Sequence, residues 1–279
     1  MKLLNFVSDG KVKLGAMTKD GVSVMTGAAG FPQTMQEAIE LGIPALNALD
    51  LTSLPTVCPG CITYAPVVTA PEKIICVGLN YAEHVKESYS EVPKWPCLFN
   101  KFNTALAAHG ETIELPPVDE KYDYEAELVI VIGKGGRNIA KEAALDYVFG
   151  YTCGNDLSAR TLQMRTGQWM TGKTIDKFGP VGPVIATADV TDGDNLPIKL
   201  IRNGVVCQDS NTNDLVFDVS TIVSYCSLFV TLKPGDIIFT GTPQGVIGGK
   251  PEGQKDWLKP GEVLTVAIEG IGELTNTLA

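Results

Sequence analysis

Two acidic residues lie at the start of an apolar segment in the middle of the chain. Residues 122–132 read YDYEAELVIVI, and the second half has the nearly continuous apolar character of a strand buried on both faces. Glu125 and Glu127 are two residues apart, so on a strand their carboxylates share one face, about 7 Å apart along the chain. Two such anions repel each other and lose hydration, which a cation between them would offset. The pattern therefore predicts a cation site, although an exposed strand end with two solvated glutamates would have the same sequence.

A third carboxylate is expected to join this pair. The segment VFGYTCGND is predicted to be a strand that ends at Asp156, and DLSARTLQMRT is predicted to be a short helix with Asp156 near its N-terminus. Three carboxylates, completed by water or substrate oxygens, suit an octahedral oxygen site for Mg²⁺ or Mn²⁺. Lys173 is a candidate for a fixed cation near these acids.

A histidine next to a glutamate is the candidate general base. His84 and Glu87 are i,i+3 neighbours in a short predicted helix that Asn80 could cap. The carboxylate would orient the imidazole and raise its basicity. A solvent-exposed ion pair on a helix would show the same spacing. The other histidine, His109, falls in the turn AAHGE and is expected at the surface.

Two further motifs fit their sequence context poorly. Residues 167–174, GQWMTGKT, match the phosphate-binding P-loop, but that loop needs a strand before it and a helix after it. Here a polar helix precedes the motif and two Gly-Pro pairs follow, which disfavours a nucleotidase. Cys58 and Cys61 form a CxxC in proline-rich turn sequence without a second CxxC, which disfavours both a redox centre and a zinc site.

Composition narrows the class of protein. The 279 residues carry a net charge of −10, which argues against nucleic acid or an anionic membrane as partner. An anionic substrate would therefore need local positive charge. Seven cysteines, an odd number, are expected to be reduced thiols. The N-terminus lacks the apolar stretch of a signal peptide and no segment is long enough to span a membrane, so we expect a cytoplasmic protein.

Residues 1–70 are expected to form a small β-rich N-terminal domain with a linker, and residues 71–279 a catalytic domain. The predicted N-terminal unit has three short strands separated by Asp-Gly turns, then an amphipathic helix over 33–49 interrupted near Gly42 and Pro44. The remainder is predicted to be mostly strands, with helices over 139–147 and 217–232 and a proline-bounded loop over 88–96. The fold class is therefore α+β and rich in strands.

From Lys73 to Ala279 the chain resembles the fumarylacetoacetate hydrolase family. The matching blocks, in the family's order, are ICVGLNYAEHVKE, PCLFNK, YDYEAELVIVIGK, GYTCGNDLSAR, GKTIDKFGPVGP, DVSTIVSYCSLFVTLKPGDIIFTGTPQGV and LKPGEVLTVAIEGIGELTNT. The resemblance implies a mixed β-roll catalytic domain, magnesium or manganese, and a homodimer. It also implies roles for nine residues: metal ligands Glu125, Glu127 and Asp156; catalytic residues His84, Glu87 and Lys173, the first two on a lid helix; and substrate-binding residues Lys101, Gln163 and Thr242. Phe102 replaces the proline that many relatives carry after the lysine.

The implied activity is hydrolysis of a C–C bond in a small 1,3-dicarbonyl or 2-oxo acid of the acylpyruvate or fumarylpyruvate type. The metal ion would stabilise an enolate, Lys173 would offset negative charge, and His84 would activate water. The same resemblance covers oxaloacetate decarboxylases, hydratases, isomerases and lyases, so family membership does not fix the reaction. A non-catalytic scaffold is the alternative from another class; the presence of the complete acid triad and of the His-Glu pair disfavours it. The expected partner is a small anionic 2-oxo acid, with no nucleic acid and no membrane.

Overall fold

The computed structural model describes residues 1–87 and 91–279, so the start of the loop expected over 88–96 lies outside the described residues. Strands make up most of the regular structure. In chain order they are β1 Lys2–Ser8, β2 Lys11–Thr18, β3 Gly21–Val24, β4 Thr56–Val57, β5 Thr63–Ala65, β6 Ile74–Gly78, β7 Cys97–Lys101, β8 Leu106–Ala107, β9 Thr112–Ile113, β10 Tyr122–Asp123, β11 Ala126–Ile132, β12 Val148–Asn155, β13 Ser158–Ala159, β14 Gly179–Thr187, β15 Pro197–Arg202, β16 Val205–Asn211, β17 Ile237–Phe239, β18 Val263–Ile268 and β19 Gly272–Leu278.

The helices are short and lie between the strands. The α-helices are α1 Met35–Leu41, α2 Ile43–Asn47, α3 Ala82–Glu87, α4 Arg160–Met164, α5 Met170–Lys173 and α6 Val219–Phe229. Single 3-10 turns or short 3-10 helices cover Leu51–Ser53, Pro59–Cys61, Asn103–Ala105, Lys141–Tyr147, Thr212–Asp214 and Glu252–Gln254. The predicted break in the helix over 33–49 is confirmed, because Gly42 has a φ of 82° and separates α1 from α2.

Strand β11 lies at the centre of the main sheet, whose order is β4-β3-β2-β1-β14-β12-β11-β17-β6-β7. It pairs antiparallel with β12 on one side and with β17 on the other. All seven of its residues are buried. Leu128 and Ile130 belong to one apolar cluster and Val129 and Val131 to the other. Because apolar layers cover both faces, β11 has a continuous rather than an alternating apolar sequence, as predicted.

The N-terminal strands extend the same sheet. Strand β1 pairs antiparallel with β14, with Lys2 opposite Ala186 and Leu3 opposite Ile185. The side chains of Leu3 and of Ile39 in α1 belong to the apolar cluster that includes Val129. Residues 1–70 therefore help to cover one face of the sheet that carries the acids. The boundary at residues 70/71 stays a prediction.

A second sheet covers the other face, in the order β16-β15-β18-β19-β9. In β15 and β18, buried positions alternate with half-buried or exposed ones. The buried residues Leu200 and Val266 pack in the same cluster as Leu128 of β11. The site described below thus lies at one end of a strand that has an apolar cluster on each face.

Three local predictions are wrong in detail. The helix predicted over 139–147 is a 3-10 helix over Lys141–Tyr147. Asp156 does not begin a helix, because β13 follows it and pairs with β10 before α4 begins. Asn80 does not cap α3: its amide donates to the carbonyls of Phe217 (3.1 Å) and Thr240 (2.7 Å), so it connects distant segments instead. Among the described residues no helix is long and apolar enough to cross a membrane.

Candidate active site

The three predicted acids meet at one end of β11. Antiparallel pairing places Ala126 opposite Asn155, and the Asp156 amide donates to the Glu125 carbonyl at 2.9 Å. Each of Glu125, Glu127 and Asp156 offers a carboxylate oxygen, and these oxygens all lie within 4.8 Å of one another. Their exposed fractions are 5%, 2% and 0%, which rules out the interpretation of a solvated strand end.

Two buried ammonium groups stand against this acid triad. The Lys173 Nζ lies 2.7 Å from Glu125 Oε2 and 2.9 Å from Asp156 Oδ2. The Lys101 Nζ lies 2.5 Å from Asp156 Oδ1. Burial opposes the charged form of Lys173, but the Asp156 and Glu125 carboxylates outweigh it and raise its pKa above the usual value. Lys173 therefore remains a cation beside the acids, at the position predicted for it.

Glu127 is the member of the triad without a cationic partner among the described residues. Its Oε2 accepts a hydrogen bond from the Gly241 amide at 2.7 Å. Burial, with the nearby Asp156 and Glu125 carboxylates, raises the pKa of Glu127 well above its usual value. With Asp123, which pairs with Arg160, four carboxylates face three cationic groups, Lys101, Lys173 and Arg160, and one negative charge is left unmatched. A divalent cation fits this donor set, because it prefers carboxylate oxygens and would leave the site with a net positive charge for an anionic substrate.

Arg160 is a site residue that the sequence analysis missed. Its guanidinium lies 2.8 Å from Glu125 Oε1, 2.8 Å from Asp123 Oδ2 and 2.9 Å from Gln163 Oε1. The Asp123 carboxylate also accepts from the amides of Ile247 and Gly248, both at 2.8 Å. The signal was the arginine in the DLSAR block, four residues after Asp156, because an arginine close to buried acids is expected to pair with them.

The predicted histidine pair lies on α3. The His84 Nδ1 is 2.9 Å from Glu87 Oε1, and His84 is only 8% exposed. The Gly245 amide donates to both Glu87 carboxylate oxygens, at 3.1 and 2.9 Å. This burial does not fit a solvent-exposed ion pair on a helix. Because Glu87 occupies Nδ1, the imidazole offers Nε2 to a bound molecule.

One cavity of about 510 Å³ joins the triad to the histidine pair. Of the nine predicted site residues, its wall includes His84, Glu125, Glu127, Gln163, Lys173 and Thr242. Glu87, Asp156 and Lys101 stand behind that wall, each in contact with a residue that lines it or with another member of the site. The Thr242 hydroxyl accepts a hydrogen bond from the Gln208 side-chain amide at 2.9 Å.

Lys101 is held away from the cavity by its own contacts. Beyond Asp156, its ammonium donates to the carbonyl oxygens of Phe178, at 3.0 Å, and of Lys173. These three acceptors match the three N–H donors of a lysine ammonium group. Its predicted contact with substrate stays a prediction, and this geometry gives it a role in charge balance.

Of the two remaining motifs, the segment 167–174 contributes to the site through Trp169 and Lys173, which line the cavity, and the CxxC does not. In the segment 167–174, Gly172 is packed against the Gln163 backbone and strand β14 follows, so no phosphate cradle forms; Lys173 serves the acid triad instead. Cys58 and Cys61 are exposed free thiols. His109, expected at the surface, is half-buried, and its Nδ1 accepts from the Thr275 amide at 3.1 Å.

The fold and the buried acid triad beside a cavity define an enzyme, and comparisons with known proteins give its family. The model for the fumarylacetoacetate hydrolase C-terminal region matches residues 73–279. The mitochondrial oxaloacetate tautomerase of Xenopus laevis is 40% identical over 289 residues, covering 99% of this chain and 89% of that protein. The fumarylacetoacetate hydrolase of Exiguobacterium antarcticum has a TM-score of 0.89 and 34% identity, covering 100% of this chain and 99% of that one.

A third relative was solved with ligands. The maleylpyruvate hydrolase of Sphingobium sp. SYK-6, in complex with manganese(II) and pyruvate, has a TM-score of 0.83 and 31% identity, covering 100% of this chain and 99% of that one. The chain belongs to the fumarylacetoacetate hydrolase family. The predicted family and the strand-rich α+β fold are therefore confirmed.

Proposed function

We propose that this enzyme interconverts the enol and keto forms of a small 2-oxo acid, with oxaloacetate as the substrate. The observation that carries the proposal is the cavity itself, in which a buried acid triad with one unmatched negative charge faces the imidazole of His84. Similarity to an oxaloacetate tautomerase over 99% of this chain supports oxaloacetate over other 2-oxo acids. Tautomerisation consumes no water and breaks no C–C bond.

Glu125, Glu127 and Asp156 would hold a divalent metal ion, Mg²⁺ or Mn²⁺. The unmatched charge on Glu127 and the manganese in the maleylpyruvate hydrolase relative both support this assignment. When bound, the ion would polarise the 2-oxo group and stabilise negative charge on its oxygen. Lys173 keeps one N–H donor beyond those directed to Glu125 and Asp156, and this donor can bind the same oxygen.

His84 would move the proton. In the keto-to-enol direction, Nε2 takes a proton from C3 of the substrate while the electron pair of that C–H bond forms the C2–C3 double bond. The imidazolium then gives a proton to the 2-oxygen, which regenerates the neutral imidazole, so substrate and product differ only in the proton's position. Glu87 holds the ring through Nδ1 and stabilises the imidazolium that forms. The Gly245 amide in turn fixes the Glu87 carboxylate.

Hydrolysis of an acylpyruvate is the second candidate, and it is the reaction that the sequence analysis placed first. The cavity of about 510 Å³ exceeds the needs of a four-carbon acid, and the maleylpyruvate hydrolase relative supports a longer substrate. His84 would then deprotonate water, whose oxygen adds to the distal carbonyl. The bond from that carbon to C3 breaks, leaving a carboxylic acid and the enolate of pyruvate, which takes up one proton.

One set of assays separates these reactions. Decay of enol-oxaloacetate is followed by its ultraviolet absorbance with Mg²⁺, with Mn²⁺ and with a chelator, and pyruvate is measured in parallel with lactate dehydrogenase. We expect metal-dependent enol decay without stoichiometric pyruvate release. Acetylpyruvate in place of oxaloacetate tests hydrolysis. Pyruvate release from acetylpyruvate, with enol decay at the uncatalysed rate, would contradict tautomerisation and favour hydrolysis; pyruvate from oxaloacetate would indicate decarboxylation.

We also propose that the protein is a homodimer and that it is located in the cytoplasm. The dimer follows from the family resemblance, and seven free thiols support a reducing compartment. Light scattering at micromolar concentration should give twice the mass of the 279-residue chain. A monomer with full activity would contradict the dimer, and cell fractionation tests the compartment.

A further inference from the structure

Two lysines lie on the cavity wall without contacting the acid triad. Lys121 and Lys255 line the cavity together with Trp257. Their segments run side by side, because the Leu258 amide donates to the Tyr122 carbonyl at 3.0 Å. The wall therefore brings these two cations together although they are far apart in the sequence.

Among the described residues, these two lysines are the cationic side chains of the cavity wall that are not paired with the acids of the site. The other two cationic side chains on the wall, Arg160 and Lys173, are held by buried carboxylates. Lys255 instead contacts Glu252, at 2.8 Å, and that glutamate side chain is 80% exposed. An exposed ion pair of this kind is weak, so a ligand carboxylate can compete with Glu252 for the ammonium.

Lys121 shares the same electrostatic environment. The hydrogen bond from Lys255 lowers the pKa of Glu252, and the charge of Lys121 lowers it further but more weakly. The Lys255 Nζ also lies 5.9 Å from the centre of the Trp257 ring, which limits the positions open to the ammonium group. A positively charged patch with an aromatic neighbour thus borders the cavity that Glu125 and Glu127 also line.

We propose that Lys255, assisted by Lys121, binds the distal carboxylate of a dicarboxylic 2-oxo acid. The inference rests on the proposed function, because it assumes that the 2-oxo carboxylate end of the ligand lies at the acid triad. The two lysines then determine specificity: they favour a substrate with a second anionic group over one that ends in a methyl group. They are not catalytic residues, because they contact only the end of the substrate that does not react.

Two non-reacting probes of equal length test the subsite. 2-Oxoglutarate and 2-oxopentanoate share five carbons and the 2-oxo acid group, and they differ in the distal carboxylate or methyl. Calorimetry with the Mn²⁺-loaded wild-type protein should show that 2-oxoglutarate binds about tenfold more tightly than 2-oxopentanoate. Lys255→Gln should reduce this preference roughly fivefold or more and leave the Kd of 2-oxopentanoate unchanged. Lys121→Gln should reduce it less.

A second variant predicts the opposite change, and a third is the control. Glu252→Gln removes the competing carboxylate and should tighten 2-oxoglutarate binding about twofold to threefold, within the range of a surface ion pair. Lys259→Gln is the matched control, because Lys259 also pairs with an exposed acid three residues away, Asp256, at 2.8 Å. Lys259 is not among the residues that line the cavity. The Lys259→Gln protein should bind both probes with the same Kd values as the wild-type protein.

The outcomes separate this inference from the proposed function. Equal affinity of the parent for both probes, binding of neither probe, or an equal loss for both probes in Lys255→Gln would overturn the subsite. A selective loss for 2-oxoglutarate supports it. The proposed function fails separately, if enol-oxaloacetate decays at the uncatalysed rate in the presence of a wild-type enzyme that still prefers 2-oxoglutarate.

Discussion

Two regions of the site hold their charged groups in different ways. The floor is the acid triad together with Lys101 and Lys173, and the α3 wall is the helix that carries His84 and Glu87. On the floor, Glu127 belongs to a fully buried strand that is paired on both sides, and its neighbours are held by buried lysines. On the wall, His84 belongs to a six-residue helix and is oriented by one carboxylate, which one backbone amide holds. The floor is thus part of the core of the protein, while the histidine pair is attached to it.

Variants in the two regions are therefore expected to lose different properties: folding stability in one and reaction rate in the other. Removing one of the buried lysines from the floor leaves the acids it balances under-compensated, which strongly opposes folding, whereas Glu127 has no cationic partner among the described residues to leave behind. Removing the imidazole from the wall leaves no buried charge unmatched, so folding should tolerate it while proton transfer should not. Variants in the two regions can therefore be sorted by stability and by rate.

The largest effect on stability is expected from Lys101→Met. Its ammonium is fully buried against Asp156, so the variant should lose about 3–5 kcal/mol of unfolding free energy, measured by urea titration. Lys177→Met is the control, because Lys177 pairs with Glu111 while 44% exposed and should lose at most about 1 kcal/mol. Similar losses in both variants would remove the distinction between floor and surface.

The largest effect on rate is expected from His84→Ala. Loss of the general base should lower kcat by roughly a hundredfold or more, with Mn²⁺ affinity unchanged. Steady-state kinetics and calorimetry measure the two quantities. Lys86→Ala is the control on the same helix, because Lys86 pairs with exposed Glu83. A His84→Ala enzyme at the parental rate would show that proton transfer does not use this wall.

A smaller loss is expected from Glu87→Gln. The amide can still hydrogen-bond the ring but cannot stabilise an imidazolium, so kcat should fall about tenfold, less than for His84→Ala. A loss equal to that of His84→Ala would mean that Glu87 itself transfers the proton.

The acid triad could be predicted from the sequence because the apolar pattern of the strand and the chemistry of its acids indicate the same site. The apolar run of β11 predicts a buried strand, and acids at the start of such a strand require a cation. By contrast, the partner of Arg160 is Asp123, which reaches it through the pairing of β10 with β13, and no local pattern reports that pairing. The contacts of Asn80 with Phe217 and Thr240 are missed for the same reason.

The N-terminal region shows the same limit at the level of the fold. Its three strands and its interrupted helix follow from turn residues and apolar spacing. The pairing of β1 with β14 does not, because it joins Leu3 to Ile185 across most of the chain. The proposed subsite for the distal carboxylate is equally non-local, since Lys121 and Lys255 line one cavity only in the folded protein.

The smallest effect is expected from His109, a half-buried histidine that is not among the residues lining the cavity. Burial lowers the pKa of His109 below the unfolded value of 6.5. Its contribution to stability is therefore full above about pH 6.5 and declines as the pH falls through that value toward the folded pKa. His109→Gln should flatten the dependence of unfolding free energy on pH in this window without lowering kcat. An unchanged slope would contradict this, and a loss of rate would contradict the contrast with His84.

The central claim, that the acid triad holds a divalent metal ion, is tested most directly by the melting temperature of Glu127→Gln with and without metal. In the metal-free protein, the Glu127 carboxylate has no cationic partner among the described residues and its pKa is raised. Such a group opposes folding as the pH rises through its folded pKa, so in a chelator the amide variant should melt at or above the parental temperature. Adding Mn²⁺ should raise the Tm of the parent and not that of the variant. Equal stabilisation of both proteins by Mn²⁺ would contradict the claim.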